Sequence, residues 1–122
     1  MRSFNKVMLL GNLTSDPESI KTKTGRAMST FSIATNTDWK NKEGKTVAET
    51  DFHRIVAFGK LGEIAGTYLK KGKPVLVSGR LRNRSYSVKD GGKRYVTEVI
   101  MDDFNFISGG KRDSKEEEKV AA

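Results

Sequence analysis

The sequence predicts an all-β domain with one short helix, and three observations support this class. Most apolar residues alternate with polar ones at a period of two, which is typical of strands with one buried face. One stretch, residues 61–69, follows a helical period instead. The chain has 122 residues, within the roughly 100–200 residues of an ordinary domain, so we expect a single core.

The first two predicted strands differ in their faces. Val7 to Leu10 is apolar on both faces and leads into a turn-rich run from Gly11 to Pro17. The second strand, Met28 to Asn36, places Phe31 and Ile33 on one face and polar side chains on the other. A strand that is apolar on both faces is stable when both faces are shielded from water. We therefore expect self-association, with a covering helix or loop as the alternative.

A polar, Lys-rich connection is expected over residues 37–46, turning at Glu43-Gly44. It holds the only tryptophan, Trp39. The third strand follows over Val47 to Phe58.

The helix follows the third strand. Its apolar stripe comprises Leu61, Ile64, Ala65, Tyr68 and Leu69. Gly72 suits the left-handed position after a helix and Pro74 prevents its continuation. Gly62 and Gly66 each cost the helix roughly 1 kcal/mol in propensity, so packing must hold it.

The last two strands, Val75 to Tyr86 and Arg94 to Ile107, form a long hairpin that turns at Asp90-Gly91-Gly92. Three strands, one helix and two strands is the order of a five-stranded OB-fold Greek-key barrel, here with long β-hairpin extensions. Small mixed α+β sheets share this order, so the order alone leaves closure of the barrel open.

The charge of the chain is concentrated in the predicted domain. Lys and Arg total 23 against 15 Asp and Glu, a formal net charge of +8. Residues 111–122 carry four groups of each sign, so the whole excess lies before them. We predict a domain over residues 1–108 and a short, charged, disordered tail over residues 109–122. The excess favours a polyanionic partner.

Composition excludes several classes of function. Without cysteine there is no disulfide scaffold, thiolate zinc site or cysteine nucleophile. No stretch approaches the ~18 apolar residues of a membrane span, and no signal-peptide core follows Met1, so we expect a soluble, cytoplasmic protein with no membrane partner. No glycine-rich phosphate loop appears, and we predict no cofactor.

Two strand faces combine guanidinium groups with aromatic rings. The fourth strand contributes Arg80, Arg82, Arg84 and Tyr86 to one face, and the third contributes Phe52, Arg54, Val56 and Phe58. A single nucleic-acid strand needs both types, because phosphates require cations and unpaired bases stack on rings for roughly 1–3 kcal/mol each. Burial of the phenylalanines and charge protection of an edge strand are the structural alternatives. Stacking predicts sequence-tolerant binding.

His53, the only histidine, shares a face with Asp51 and Glu49, so an acid–base or metal cluster is formally possible. A two-metal site needs several carboxylates from different elements, and the sequence shows no such set. We predict no catalytic residue, no metal ligand and no enzyme activity. The enzymatic alternative is an OB-fold metal-dependent nuclease in which Asp51, His53 or other carboxylates act with a divalent metal.

Over residues 2–107 the chain, including the strand faces described above, resembles the bacterial single-stranded DNA-binding proteins. The matching segments are Asn5 to Thr14 with Asp16-Pro17-Glu18, Thr50 to Lys60, Tyr68 to Gly72, Gly79 to Arg82, and Tyr95 to Ile100. The resemblance implies an OB fold and a homotetramer around which DNA wraps. It implies coating and protection of single-stranded DNA in replication, recombination and repair, and a nucleoid-associated protein. A primosome-type OB adaptor that mainly contacts replication proteins is the related alternative.

The resemblance also implies roles for individual residues. Bases would stack on Trp39, Phe52, Phe58 and Tyr86. Phosphates would contact Arg2, Lys6, Arg54, Lys60, Lys71 and Arg84, to which the cationic strand face adds Arg80 and Arg82. His53 would lie near a subunit interface. To that interface the two apolar faces of the first strand independently add Val7, Met8, Leu9 and Leu10. Phe52 and Tyr86 stand where many relatives have Trp, which implies somewhat weaker stacking there.

The resemblance ends before the C-terminus. Typical relatives finish in an acidic tip ending in Pro-Phe that recruits replication and repair enzymes. This chain finishes Lys119-Val120-Ala121-Ala122. The resemblance therefore does not predict recruitment of such enzymes.

Overall fold

In the computed structural model, which describes residues 2–107, the chain forms six strands and one helix. They are β1 (Val7–Leu13), β2 (Glu18–Lys21), β3 (Ala27–Lys40), β4 (Thr46–Phe58), α1 (Gly59–Tyr68), β5 (Pro74–Ser87) and β6 (Lys93–Phe106). The predicted tail, residues 109–122, lies outside the described residues. No helix within the described range is long and apolar enough to span a membrane.

The strands close into a barrel. The sheet order is β1-β5-β6-β4-β3-β2, and β1 also pairs with β3 through Asn12 and Leu13. Gly11 permits this contact, because a Cβ there would lie 2.3 Å from the Ala34 carbonyl oxygen. The predicted five-stranded OB barrel with one helix is confirmed. The short β2 was not predicted, since its four residues are all exposed and show no alternation of burial.

Most of the apolar side chains predicted on the buried strand faces lie in the barrel interior. Ile33, Ile55, Val75, Val77 and Val99 are buried in one core cluster. Leu81, which the sequence placed with Val75 and Val77, is 45% exposed although its β6 partner Val99 is buried, because the β1–β5 strand pairing ends at Gly79.

The helix α1 packs on β3 and β4 through small residues. A Cβ at Gly62 would lie 2.5 Å from the Ala57 carbonyl oxygen, and the Ser29 hydroxyl donates to the Gly62 carbonyl at 2.6 Å. The glycines that weaken the helix therefore permit its close packing. Tyr68, expected in the apolar stripe, is exposed. Gly72 has φ +86°, but it lies in the turn after α1 and not directly at the helix end.

Two long antiparallel ribbons project from the barrel. The β3–β4 ribbon keeps one register from Met28↔Phe58 to Lys40↔Thr46, so half of the predicted connection over residues 37–46 is strand and residues 41–45 form its turn. Its polarity reflects solvent on both faces of the ribbon. The tip turns at Asn41, whose side-chain oxygen accepts the backbone N–H groups of Glu43 and Lys45. The β5–β6 ribbon turns at Gly91, where φ is +83°.

Candidate nucleic-acid interface

Strand register places arginines from two elements on one outer face of the barrel. Arg82 on β5 is directly opposite Glu98 on β6. Ile55 on β4 is paired with Val99 on β6, so the side chains of Arg54 and Glu98, one residue earlier on each strand, share a side of the sheet. This outer face is opposite the buried core residues.

Three guanidinium groups converge on one buried carboxylate. Arg54 donates from Nε to Glu98 Oε2 at 3.1 Å, and Arg84 donates from Nε to Oε1 at 2.9 Å. Arg82 donates to Oε1 from both Nε and Nη2. The Glu98 side chain is 0% exposed, whereas the arginines remain 36–46% exposed. We call these four residues the arginine cluster; it carries a net positive charge on an accessible surface.

The Glu98 carboxyl remains ionised despite its burial. Loss of water raises the pKa of this group, but the hydrogen bonds from Arg82, Arg84 and Arg54 lower it more strongly, so the pKa lies below its ordinary value. This contact has no signal in the sequence, because a glutamate in an alternating strand is expected to be exposed until its cross-strand neighbours are known.

Two of the predicted stacking rings lie beside arginines. The Arg26 guanidinium lies 4.8 Å from the centroid of the Phe58 ring, and that of Arg82 lies 5.9 Å away. The Arg84 guanidinium lies 5.9 Å from the Tyr86 ring. Arg26 is not among the residues that the sequence predicts for the site. It reaches Phe58 because the β2–β3 hairpin, which the sequence did not reveal, places it there.

The other two predicted rings occupy the β3–β4 ribbon. Phe52 is 69% exposed and shares its face with Arg54. Trp39 is 43% exposed and lies in β3, not in a loop. The unbroken register pairs Phe52 with Ala34 and Trp39 with Val47, so alternation places the two rings on opposite faces of the ribbon.

The remaining predicted cations are dispersed. Arg2 and Lys60 are exposed, and so are Arg80, opposite Ile100 on β6, and Lys71 in the turn after α1. The ammonium group of Lys6 is bonded within the protein, since its Nζ donates to Ser78 Oγ at 2.6 Å and lies 3.5 Å from Asp102 Oδ2.

Asn5 makes a contact that the sequence did not predict. Its side-chain amide donates to the Leu81 carbonyl at 2.8 Å and accepts the Leu81 N–H at 2.9 Å. In this way it extends the β1–β5 pairing beyond Val7, the first residue of β1.

The first strand has one covered and one open face. Val7 and Leu9 pack against the core, whereas Met8 and Leu10 are more than half exposed. His53 is partly buried on the opposite face of β4 from Phe52, with Nε2 2.9 Å from the Thr35 hydroxyl. Within residues 2–107, no three His, Cys, Asp or Glu side chains are grouped closely enough to hold a metal ion.

A closed OB barrel with arginines and exposed rings on one outer surface defines the class of oligonucleotide-binding β-barrels. The model of the single-strand binding protein family matches residues 4–107, and the chain belongs to that family.

Individual relatives agree with this assignment. The chain is 44% identical over 108 residues to single-stranded DNA-binding proteins of Xylella fastidiosa and of Xanthomonas campestris pv. campestris, covering 88% of this chain and 66% and 63% of those proteins. It thus spans slightly less than two thirds of their length. A solved structure described as a Plasmodium falciparum SSB complex with ssDNA has a TM-score of 0.81 and 32% identity, covering 88% of this chain and 98% of that one.

Proposed function

We propose that this protein binds single-stranded DNA without strong sequence preference, and coats and protects it during replication, recombination and repair. The observation that carries the proposal is the arginine cluster on the same outer face as the exposed Phe52 ring. The named function of the relatives and the ssDNA in the similar complex support it.

The proposed mechanism has an electrostatic and a stacking component. Phosphates are attracted to Arg54, Arg82 and Arg84, and unpaired bases stack on Phe52, Phe58, Tyr86 and Trp39. Release of counterions makes binding salt-dependent, with a log–log slope of about −0.7 for each phosphate neutralised on a single strand. Stacking adds affinity that is tolerant of sequence. No step of this mechanism requires a catalytic group, and we propose a binding protein without enzyme activity.

We further propose a homotetramer that acts in the cytoplasm on nucleoid DNA. The exposed Met8 and Leu10 of β1 support self-association, because an apolar outer face is favourable when a second subunit covers it. Light scattering across a dilution series tests the assembly. A mass of one chain at micromolar concentration would contradict it.

A fluorescence titration of Trp39 with unstructured oligo(dT) of several lengths tests the proposed function. We expect quenching that saturates at a defined oligonucleotide length and weakens steeply as salt rises from about 0.05 to 0.2 M. Anisotropy of labelled oligo(dT) serves as an independent measure of binding. Absence of binding in both measurements would refute the proposal, and unchanged Trp39 fluorescence with clear anisotropy would remove only Trp39 from the site.

A further inference from the structure

Glu98 is a buried acid at the centre of the proposed DNA-binding face, where phosphate binding alone calls for positive charge. Its carboxylate is bonded by three arginines, and every one of them donates from Nε. A carboxylate that only neutralised charge would be satisfied by any guanidinium N–H. All three side chains instead approach Glu98 through the guanidinium nitrogen nearest their aliphatic stems.

Bonding through Nε leaves other donors of the guanidinium groups available. An arginine has one N–H on Nε and two on each Nη. Within the part of the chain that the structure describes, the hydrogen bonds of Arg54 and Arg84 to Glu98 use Nε alone, and Arg82 also uses Nη2. The side chains are 46%, 41% and 36% exposed for Arg54, Arg84 and Arg82, so solvent reaches the cluster.

We infer that Glu98 is a positioning residue, whose buried carboxylate fixes Arg54, Arg82 and Arg84 so that their remaining N–H groups face the phosphates of a bound strand. This inference rests on the proposed function. One negative charge offsets the mutual repulsion of three adjacent guanidinium groups and leaves a net positive cluster. Side chains that are already ordered lose less conformational entropy when they bind a phosphate.

The variant Glu98→Gln separates positioning from simple charge neutralisation, because the two accounts predict opposite changes in the affinity for oligo(dT). Removal of the carboxylate raises the cluster charge by one, so electrostatics alone predicts tighter oligo(dT) binding and a steeper salt slope. Loss of positioning predicts about tenfold weaker binding in about 0.1 M salt and a slope shallower by roughly 0.7 or more, equivalent to at least one lost phosphate contact. Binding as tight as wild type, or tighter, would overturn the inference.

Glu63→Gln is the matched control. It makes the same chemical change and the same change in net charge on the exposed surface of α1. We expect slightly tighter binding and no loss of salt dependence. The fraction of folded protein is measured by circular dichroism for both variants, so that affinity is compared between folded chains.

The wild-type protein provides a second test that does not depend on the folding of Glu98→Gln. Nuclear magnetic resonance of the arginine Nε–H groups should show slow hydrogen exchange for Arg54, Arg82 and Arg84 in the free protein and in its saturated oligo(dT) complex. Loss of this protection in the complex would mean that DNA displaces Glu98, and would overturn the inference. If wild-type protein fails to bind oligo(dT) at all, the proposed function fails instead.

Discussion

The two ribbons of this barrel are similar in length and both are antiparallel. They differ in how their exposed side chains are supported. The β5–β6 ribbon holds Arg82 and Arg84 against the buried carboxylate of Glu98. The β3–β4 ribbon exposes Trp39 and Phe52 on its two faces. The fold therefore holds arginine charge beside Glu98 on the β5–β6 ribbon, with Arg54 added from β4, and exposes Trp39 and Phe52 on the β3–β4 ribbon. We expect the clustered charge and these two rings to contribute to binding through separable terms.

Removal of the rings of the β3–β4 ribbon is expected to have the largest effect. In Trp39→Ala with Phe52→Ala, each lost stacking contact costs about 1–3 kcal/mol, so the dissociation constant for oligo(dT) rises about 30-fold or more. The salt slope stays at its wild-type value, because stacking releases no counterions. Anisotropy of labelled oligo(dT) at four salt concentrations measures both quantities.

Ile20→Ala is the control for this double variant, since Ile20 is an exposed apolar residue on β2, away from the β3–β4 ribbon tip. It should bind like wild type. A change of slope in the ring variant would show that the two ribbons do not act through separate terms.

Removal of charge from the β5–β6 ribbon is expected to change the salt dependence of binding, which the ring variant leaves at its wild-type value. Arg84→Gln should weaken binding several-fold in about 0.1 M salt and make the salt slope shallower by about 0.7, because one phosphate is no longer neutralised. Lys70→Gln, which removes one positive charge from the exposed turn after α1, is the control. If both variants lower the slope equally, net charge and not the arginine cluster governs binding.

Acid should destabilise the β5–β6 side of the barrel through Glu98. The pKa of Glu98 is lowered in the folded state, so its ionised form stabilises the fold fully above its unfolded pKa of about 4.3. This contribution is lost as the pH falls through the folded pKa. Thermal unfolding between pH 7 and pH 3 should therefore show wild type losing more stability than Glu98→Gln. Parallel curves for the two proteins would contradict this account.

Much of the barrel follows from alternation, whereas the arginine cluster does not. The faces of Phe31 and Ile33 and of Phe52 and Arg54 were predictable, because a period of two assigns every side chain of a strand once one is known to be buried. The convergence of arginines on Glu98 depends on cross-strand register. That register includes the shift between Ser78 and Gly79, where β6 has an extra residue, and no pattern within a single strand encodes it.

The extent of the ribbons was also hidden in the sequence. Residues 37–40 and 46 are mostly polar because both sides of that ribbon face solvent, and a polar strand with no buried face has the composition of a loop. Trp39 was therefore expected in a loop and lies in β3. Arg26 was missed for a related reason, since the exposed β2 carries no apolar pattern and its hairpin with β3 positions Arg26 over Phe58.

The smallest predicted difference lies between the two tyrosines of the β5–β6 ribbon. Tyr86 is paired with Arg94 and Tyr95 with Ser85, so alternation places the two rings on opposite faces, with Tyr86 on the face of the arginine cluster. Tyr95 is the more exposed, at 78% against 48%, and exposure alone would favour it as a stacking ring. If the face of the ribbon decides which ring stacks on a base, Tyr86→Leu weakens oligo(dT) binding about fivefold and Tyr95→Leu leaves it unchanged. The fivefold loss corresponds to about 1 kcal/mol, the lower value for one stacking contact. Equal losses would show that bound DNA contacts both faces of this ribbon, as the proposed stacking on both Trp39 and Phe52 implies for the β3–β4 ribbon.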